Sequence, residues 1–423
     1  MAVSIMNAEA SASKTSIPAW KWAVVVMMLF ATVINYLDRQ AMGNLGSFIK
    51  HDFKLDNEGY GRLESWFGYT YAVFLVVAGF LADRLSLRWL YAGALFVWSI
   101  AGFATGFVAM LLQLQICRAV LGAGEAFNWP VAVGTVRRIM PRESRAFANG
   151  VFNSGMTIGA VLTPVLVLFM VNPVTGEGWR SLFKIVGALG SLWVVFWLWS
   201  TRGDRAAEMT PQRHEAAAPV WAVFKLRTFW ITMAVGIAVN MAWHLYRVWL
   251  PRTLIEDLRF TDEQLQYLLM AYFVTADLGS ILFGYLAKKL VSPGRPVERV
   301  RKIVVLVAAL VCLAGTPVLL RPGRWVMVPL YCIAGAGIMG VFAMFYSFVQ
   351  DILPEHTSKC LGMIGATVWF MTSILHPLIG RFADRLNTPI GKLAPALLIV
   401  GALPLIAAVI AQSWPEKREL AST

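Results

Sequence analysis

Apolar runs of roughly 20 residues recur along the whole 423-residue chain, separated by short polar breaks. Each run can cross about 30 Å of hydrocarbon as a helix rising about 1.5 Å per residue. The chain also lacks material for a water-facing surface. It is 58% hydrophobic and 14% charged, whereas soluble domains carry about 25% charged residues. These features imply an all-α polytopic membrane protein and argue against a soluble domain.

The runs divide into twelve expected spans, at 22–46, 60–82, 89–109, 111–136, 146–171, 181–201, 228–250, 267–288, 301–320, 325–350, 360–380 and 390–412. Most connections are short. The exception is 202–227, polar and rich in Ala and Pro, which separates six spans from six and reads as a linker. The expected organisation is a cytoplasmic tail (1–21), a six-helix bundle (22–201), a cytoplasmic linker (202–227), a second bundle (228–412) and a cytoplasmic tail (413–423). Residues 1–19 are polar and rich in small residues, and the first apolar run is too long for a signal-peptide core. It reads as an uncleaved first span.

With the N-terminus inside, the inner loops and tails hold 22 Lys and Arg, and the outer loops hold 12. Basic residues crowd the cytoplasmic side of membrane proteins. Both termini are therefore expected in the cytoplasm, with the chain in the inner (plasma) membrane. The same rule accounts for the net charge of +13 without a nucleic-acid partner. Cys117, Cys312, Cys332 and Cys360 lie in or beside apolar runs without metal-ligand spacing, and read as small packing residues. No metal triad, nucleophile–base motif or phosphate loop appears, so neither a metal, a cofactor nor an enzyme is expected.

The two halves repeat each other. RAVLGAGE (118–125) falls on YCIAGAGI (331–338), and IMP (139–141) on ILP (352–354), both at an offset of 213. GFLADR (79–84) falls on GYLAKK (284–289) at an offset of 205, which also places Asn35 on Asn240. Two six-helix pseudo-repeats around a central cavity follow. The repeat separates architecture from chemistry. The Gly-Ala-Gly segments are shared, as expected for close helix packing. The charges within spans are not shared: Asp38 and Arg39 fall opposite Trp243 and His244, Arg118 opposite Tyr331, and Glu125 opposite Ile338.

Arg118 and Glu125 lie seven residues apart and share a helix face, whereas Asp38 and Arg39 point about 100° apart. If spans one and four line a cavity, two arginines and two carboxylates converge near mid-membrane. Ionised groups there are expensive and usually mark a substrate or proton path. Two structural ion pairs are the plain alternative, but paired burial is often no better than an apolar core. Arginine binds a planar carboxylate through two parallel hydrogen bonds. A neighbouring acid that loses its arginine to a substrate anion takes up a proton more readily, and the coupling is mutual. Other polar groups within spans could meet substrate hydroxyls: Tyr36, Tyr69, Asn128 and Asn153 in the first half, and Asn240, His244, Tyr346 and Gln350 in the second. Each taken alone is more often a packing or anchoring residue. His376 precedes Pro377, which predicts a broken or kinked helix.

Twelve spans, the repeat and GFLADRLSLR (79–88) together resemble the major facilitator superfamily, whose loop between spans two and three carries G-x-x-x-D-R/K-x-G-x-R/K-R/K. Gly79, Asp83, Arg84 and Arg88 match it, while Ser86 and Trp89 depart from it. NYLDRQ (35–40) and RAVLGAGEAFNWP (118–130) are similar to the anion–cation symporter branch, and FNSGMTIGAVLTP (152–164) and TADLGSILFGYL (275–286) to its hexuronate transporters. The resemblance implies that Arg39 and Arg118 hold a substrate carboxylate and that Asp38 and Glu125 carry protons. It also implies that Gly79, Asp83, Arg84 and Arg88 form a conformational latch. The function expected on this basis is proton-coupled symport of a sugar acid by alternating access, with a hexuronate such as glucuronate or galacturonate first in line. An aldonate, another small organic anion or exchange of sugar phosphates is the alternative. The expected partners are the substrate anion, protons and the lipid bilayer, with the protein a monomer.

Overall fold

A computed structural model describes residues 17–141, 144–210, 224–291, 297–320, 323–352, 357–386 and 391–415. The first half contains α1 (Ala19–Asn44), a short α2 (Gly46–Asp52), α3 (Asn57–Arg84), α4 (Leu87–Thr105), α5 (Leu111–Glu125), α6 (Asn128–Ile139), α7 (Arg145–Met170) and α8 (Trp179–Ser200). After α9 (Asp204–Glu208) at the start of the linker come α10 (Arg227–Glu256), α11 (Asp262–Leu290) and α12 (Val297–Cys312). They are followed by α13 (Arg324–Ile352), α14 (Thr357–Arg385) and α15 (Ala394–Ala411).

Among the described residues, nine of these helices are long and apolar enough to cross a membrane. The other three expected spans are helical but shorter or interrupted. The fourth divides into α5 and α6, because Pro130 has no N–H for the Ala126 carbonyl and its ring opposes a continuous helix. The ninth is α12 continued by a tighter 3₁₀ stretch, Leu313–Leu320, which contains Pro317. The twelfth is α15 itself, with Pro404 inside it.

Of the break or kink expected at His376–Pro377, the break does not occur: α14 runs on through Pro377. Proline leaves the carbonyl four residues earlier without its helical donor. Here that carbonyl belongs to Ser373, and the Ser65 hydroxyl of α3 donates to it at 2.5 Å. A neighbouring helix thus satisfies the freed group, as membrane helices require.

The repeat visible in the sequence is also a repeat of packing. In the first half α3 packs on α5, α4 on α5 and α8, and α1 on α7 and α8. In the second half the matching pairs are α11 with α13, α12 with α13 and α15, and α10 with α14 and α15. The Gly-Ala-Gly segments sit at corresponding joints. A Cβ on Gly122 would lie 2.3 Å from the Phe67 carbonyl oxygen, and one on Gly124 would lie 2.9 Å from the Trp98 backbone. Gly335 and Gly337 meet Tyr272 and Ala308 in the same way. Even the helix starts correspond: Asp56 caps α3, and Thr261, 205 residues later, caps α11.

Two seams join the halves, α3 against α14 and α7 against α11. At the end of the bundle opposite the N-terminus of α1, polar side chains tie the seams. Lys50 pairs with Glu256 at 2.6 Å, Asn57 donates to Asp384 at 2.8 Å, and Arg381 reaches Glu58 at 2.7 Å. Ser47 also bonds Asp262.

Candidate functional site

Five ionisable side chains meet at the junction of the halves, all buried. Arg39 on α1 is the most completely engaged. Its Nε and Nη2 both donate to Glu125 Oε2, at 3.0 and 2.7 Å, and Nη2 reaches Asn35 Oδ1 at 3.3 Å. Its guanidinium carbon lies 5.0 Å from the Tyr71 ring and 5.3 Å from those of Tyr36 and Trp369. Faces of aromatic rings attract a desolvated cation. Trp369 belongs to the second half, so the cage itself spans the junction.

Arg118 pairs elsewhere. Its Nη2 lies 3.4 Å from Glu64 Oε2 on α3, and its guanidinium covers Phe67 at 4.6 Å. Gly122, one turn further along α5, brings α5 close enough to α3 for that reach. Arg247 on α10 approaches the same Glu64 oxygen at 3.5 Å from the second half, and its Nη1 points to the Arg39 carbonyl at 3.5 Å. Several buried groups have no hydrogen-bond partner among the described residues: Nε and Nη1 of Arg118, Nε of Arg247, and one oxygen each of Glu64 and Glu125. The cluster therefore offers unfilled donors on two arginines from opposite halves.

The sequence brought Arg39, Arg118 and Glu125 to one region, and the structure places them there, with Arg39 on Glu125 and Arg118 on Glu64. Asp38 departs from the expected convergence. It is fully buried, neither carboxylate oxygen has a partner, and it packs against α4, where a Cβ on Gly102 would lie 2.9 Å from its Oδ1. Glu64 and Arg247 were missed. Arg247 brings a charge of the second half into the cluster.

The hydroxyl candidates separate. His244 packs against Trp369, the rings tilted and their centroids 4.2 Å apart, with Nδ1 unbonded among the described residues, and Tyr36 borders Arg39. Tyr346 packs with Phe342 and Phe345. Asn153 is half-buried with an unbonded Oδ1. Others have local duties. Asn128 accepts from the Tyr91 hydroxyl at 2.6 Å, Asn240 donates to the Gly236 carbonyl of its own helix, and Tyr69 meets the exposed Phe370 ring. The Gln350 side chain lies outside the described residues.

Of the four latch positions, the Asp83 side chain also lies outside them. Gly79 faces open space and Arg84 is exposed. Arg88 donates to the Leu198 carbonyl at 2.9 Å and to Thr201, while Arg138 donates to the Ala82 carbonyl at 2.6 Å. These contacts hold the loop between α3 and α4 against its own half.

A family model described as Major Facilitator Superfamily matches residues 28–374. The chain belongs to the major facilitator superfamily. It is a multi-pass membrane transporter, not an enzyme. The hexuronate transporter of Escherichia coli (strain K12) is 23% identical over 403 residues, which cover 90% of this chain and 92% of the relative. The D-galactonate transporter of Escherichia coli O6:H1 is 26% identical over 420 residues, covering 92% and 94%. A probable galactarate/D-glucarate transporter of Bacillus subtilis (strain 168) is 24% identical, covering 92% and 90%. Among solved structures, an inward-facing, occupied bacterial homolog of the human lysosomal transporter Spinster superposes with a TM-score of 0.73 at 19% identity, covering 93% of this chain and 97% of its own. A D-xylose-proton symporter also reaches 0.73, at 13% identity, covering 94% and 98%.

Proposed function

We propose that this superfamily member carries a sugar acid, a hexuronate such as glucuronate or galacturonate, together with protons across the inner membrane by alternating access. The observation that carries the reading is the set of unfilled donors on Arg118 and Arg247, facing each other across the halves in a buried site. A carboxylate with two oxygens suits such donors. Arg39, held in its aromatic cage, adds positive charge beside them and completes the clamp with Arg118. Glu125 and Asp38 carry the protons. Glu125 is bound to Arg39, so an anion that draws on Arg39 frees it to be protonated, while Asp38 sits apart as a second acid. His244, Tyr36 and Tyr346 would read the sugar hydroxyls. The curated relatives named above, all named for sugar acids, support the substrate class.

In this reading the end bearing the N-terminus faces the cytoplasm, as the 22 to 12 distribution of basic residues favours. The far-end ties then close the site to the outside, and the loop carrying Gly79, Asp83, Arg84 and Arg88 works as the latch on the cytoplasmic face. Uptake into energised vesicles tests the reading, with a panel of hexuronates, aldonates and sugar phosphates, with and without a pH gradient. A hexuronate accumulated only with the gradient is the expected result. Uptake indifferent to the gradient removes proton coupling, and preference for an aldonate moves the substrate within its class.

A further inference from the structure

Glu64 is a carboxylate the proposed clamp does not need. Its Oε2 faces Arg118 Nη2 at 3.4 Å and Arg247 Nη2 at 3.5 Å, with all three side chains at most 2% exposed. Charge-assisted contacts close to about 2.7–2.9 Å where geometry allows, as Arg39–Glu125 does at 2.7 Å. Glu64 therefore touches two cations and fully engages neither. Its second oxygen is unbonded, and so are three of the arginine nitrogens around it. One arginine comes from each half, so this single carboxylate is also a buried tie between them. An incoming substrate carboxylate would find the same donors and, already on them, a weaker-held anion.

We propose that Glu64 is a built-in counter-anion, which occupies Arg118 and Arg247 in the empty transporter and yields them to the substrate's carboxylate. The proposal rests on the reading of those arginines as the anion clamp and adds a kinetic role. Two buried guanidinium groups without an anion are costly. With Glu64 between them, the empty transporter can pass through its closed state and return for another substrate. Net uptake requires that return, whereas exchange of one anion for another does not. Glu64 thereby sets whether the protein accumulates its substrate or only swaps it. Displacing Glu64 also subtracts from the substrate's apparent affinity, since the two anions compete for one site.

The test uses the full chain in proteoliposomes with glucuronate and galacturonate as probes, comparing binding, counterflow exchange and net gradient-driven uptake. Glu64→Gln is expected to bind at least about fivefold more tightly and to keep exchange near the wild-type rate. Its net uptake is expected to fall by about tenfold or more. Glu64→Asp keeps the charge and is expected to recover most of the net uptake. A purely structural role would instead lower binding, exchange and net uptake together in Glu64→Gln, and that result overturns the proposal. Wild-type net uptake by Glu64→Gln overturns it as well. Wild-type protein inert toward both probes would overturn the hexuronate reading beneath it.

Discussion

The two halves are tied by charges in two places, and the ties are of opposite kinds. At the far end Lys50–Glu256 and Arg381–Glu58 close at 2.6 and 2.7 Å, on side chains that water reaches. In the interior, Arg118–Glu64–Arg247 stays at 3.4 and 3.5 Å in a site closed to water. Short, exposed pairs are individually weak and screened by salt. Long, buried pairs are costly to leave unpartnered and easy to re-partner. The difference suggests a division of labour, with the far end holding a conformation and the centre exchanging an anion.

The largest expected effect lies at the centre. Arg118→Ala should weaken sugar-acid binding by at least about 30-fold, since truncating one member of a buried charge pair costs about 2–5 kcal/mol. Isothermal titration measures it, and a wild-type Kd would break the contrast. Glu125→Gln should cut gradient-driven accumulation by about tenfold or more while leaving counterflow in place. Normal accumulation would remove Glu125 from the proton path. At the far end, Lys50→Gln should shift the conformational balance by less than about fivefold. Labelling of a Leu63→Cys probe, a buried position without a polar partner to lose, by an impermeant thiol reagent reads that shift, which should shrink further at high salt.

The smallest effect belongs to Asp52, whose contacts remain within the first half. Burial pushes its carboxyl up, but hydrogen bonds from Trp179 at 3.0 Å and Arg180 at 2.8 Å outweigh that and hold it below the usual carboxylate range. A depressed folded value means the stabilisation is present above the unfolded value of about 3.9 and is lost as pH falls through the folded one. Asp52→Asn should lower the Tm slightly at pH 7, with the difference closing in acid, and transport should not change.

The helical architecture and the repeat were legible because lipid leaves few alternatives to apolar helices and because duplicated joints reuse the same glycines. Arg39, Arg118 and Glu125 were legible as charges that the repeat does not share. The same test applied to Glu64 and Arg247 points to them too: at an offset of 205, Glu64 falls on Leu269 and Arg247 on Met42. Their signal was present but carried no motif. The pairing was not legible. Spacing along one helix says which groups share a face, whereas Arg118 chose a partner on α3 through the approach that Gly122 permits. Asp38 illustrates the same limit, since its direction depends on the space beside Gly102 of α4. The uninterrupted α14 depended on Ser65, a donor on a helix some 300 residues away in sequence.

The seam of α3 and α14 has a mechanical consequence. A Cβ on Gly61 would lie 2.4 Å from the His376 carbonyl oxygen, and one on Gly380 would lie 2.2 Å from that of Asn57. Bare backbone thus bears on bare backbone, with no side-chain teeth to disengage at those points. Under the proposed alternating access, such a joint would serve as a plain bearing for one bundle to rock on while its internal packing stays locked. A single methyl group there would act as a brake, slowing turnover without touching the anion site.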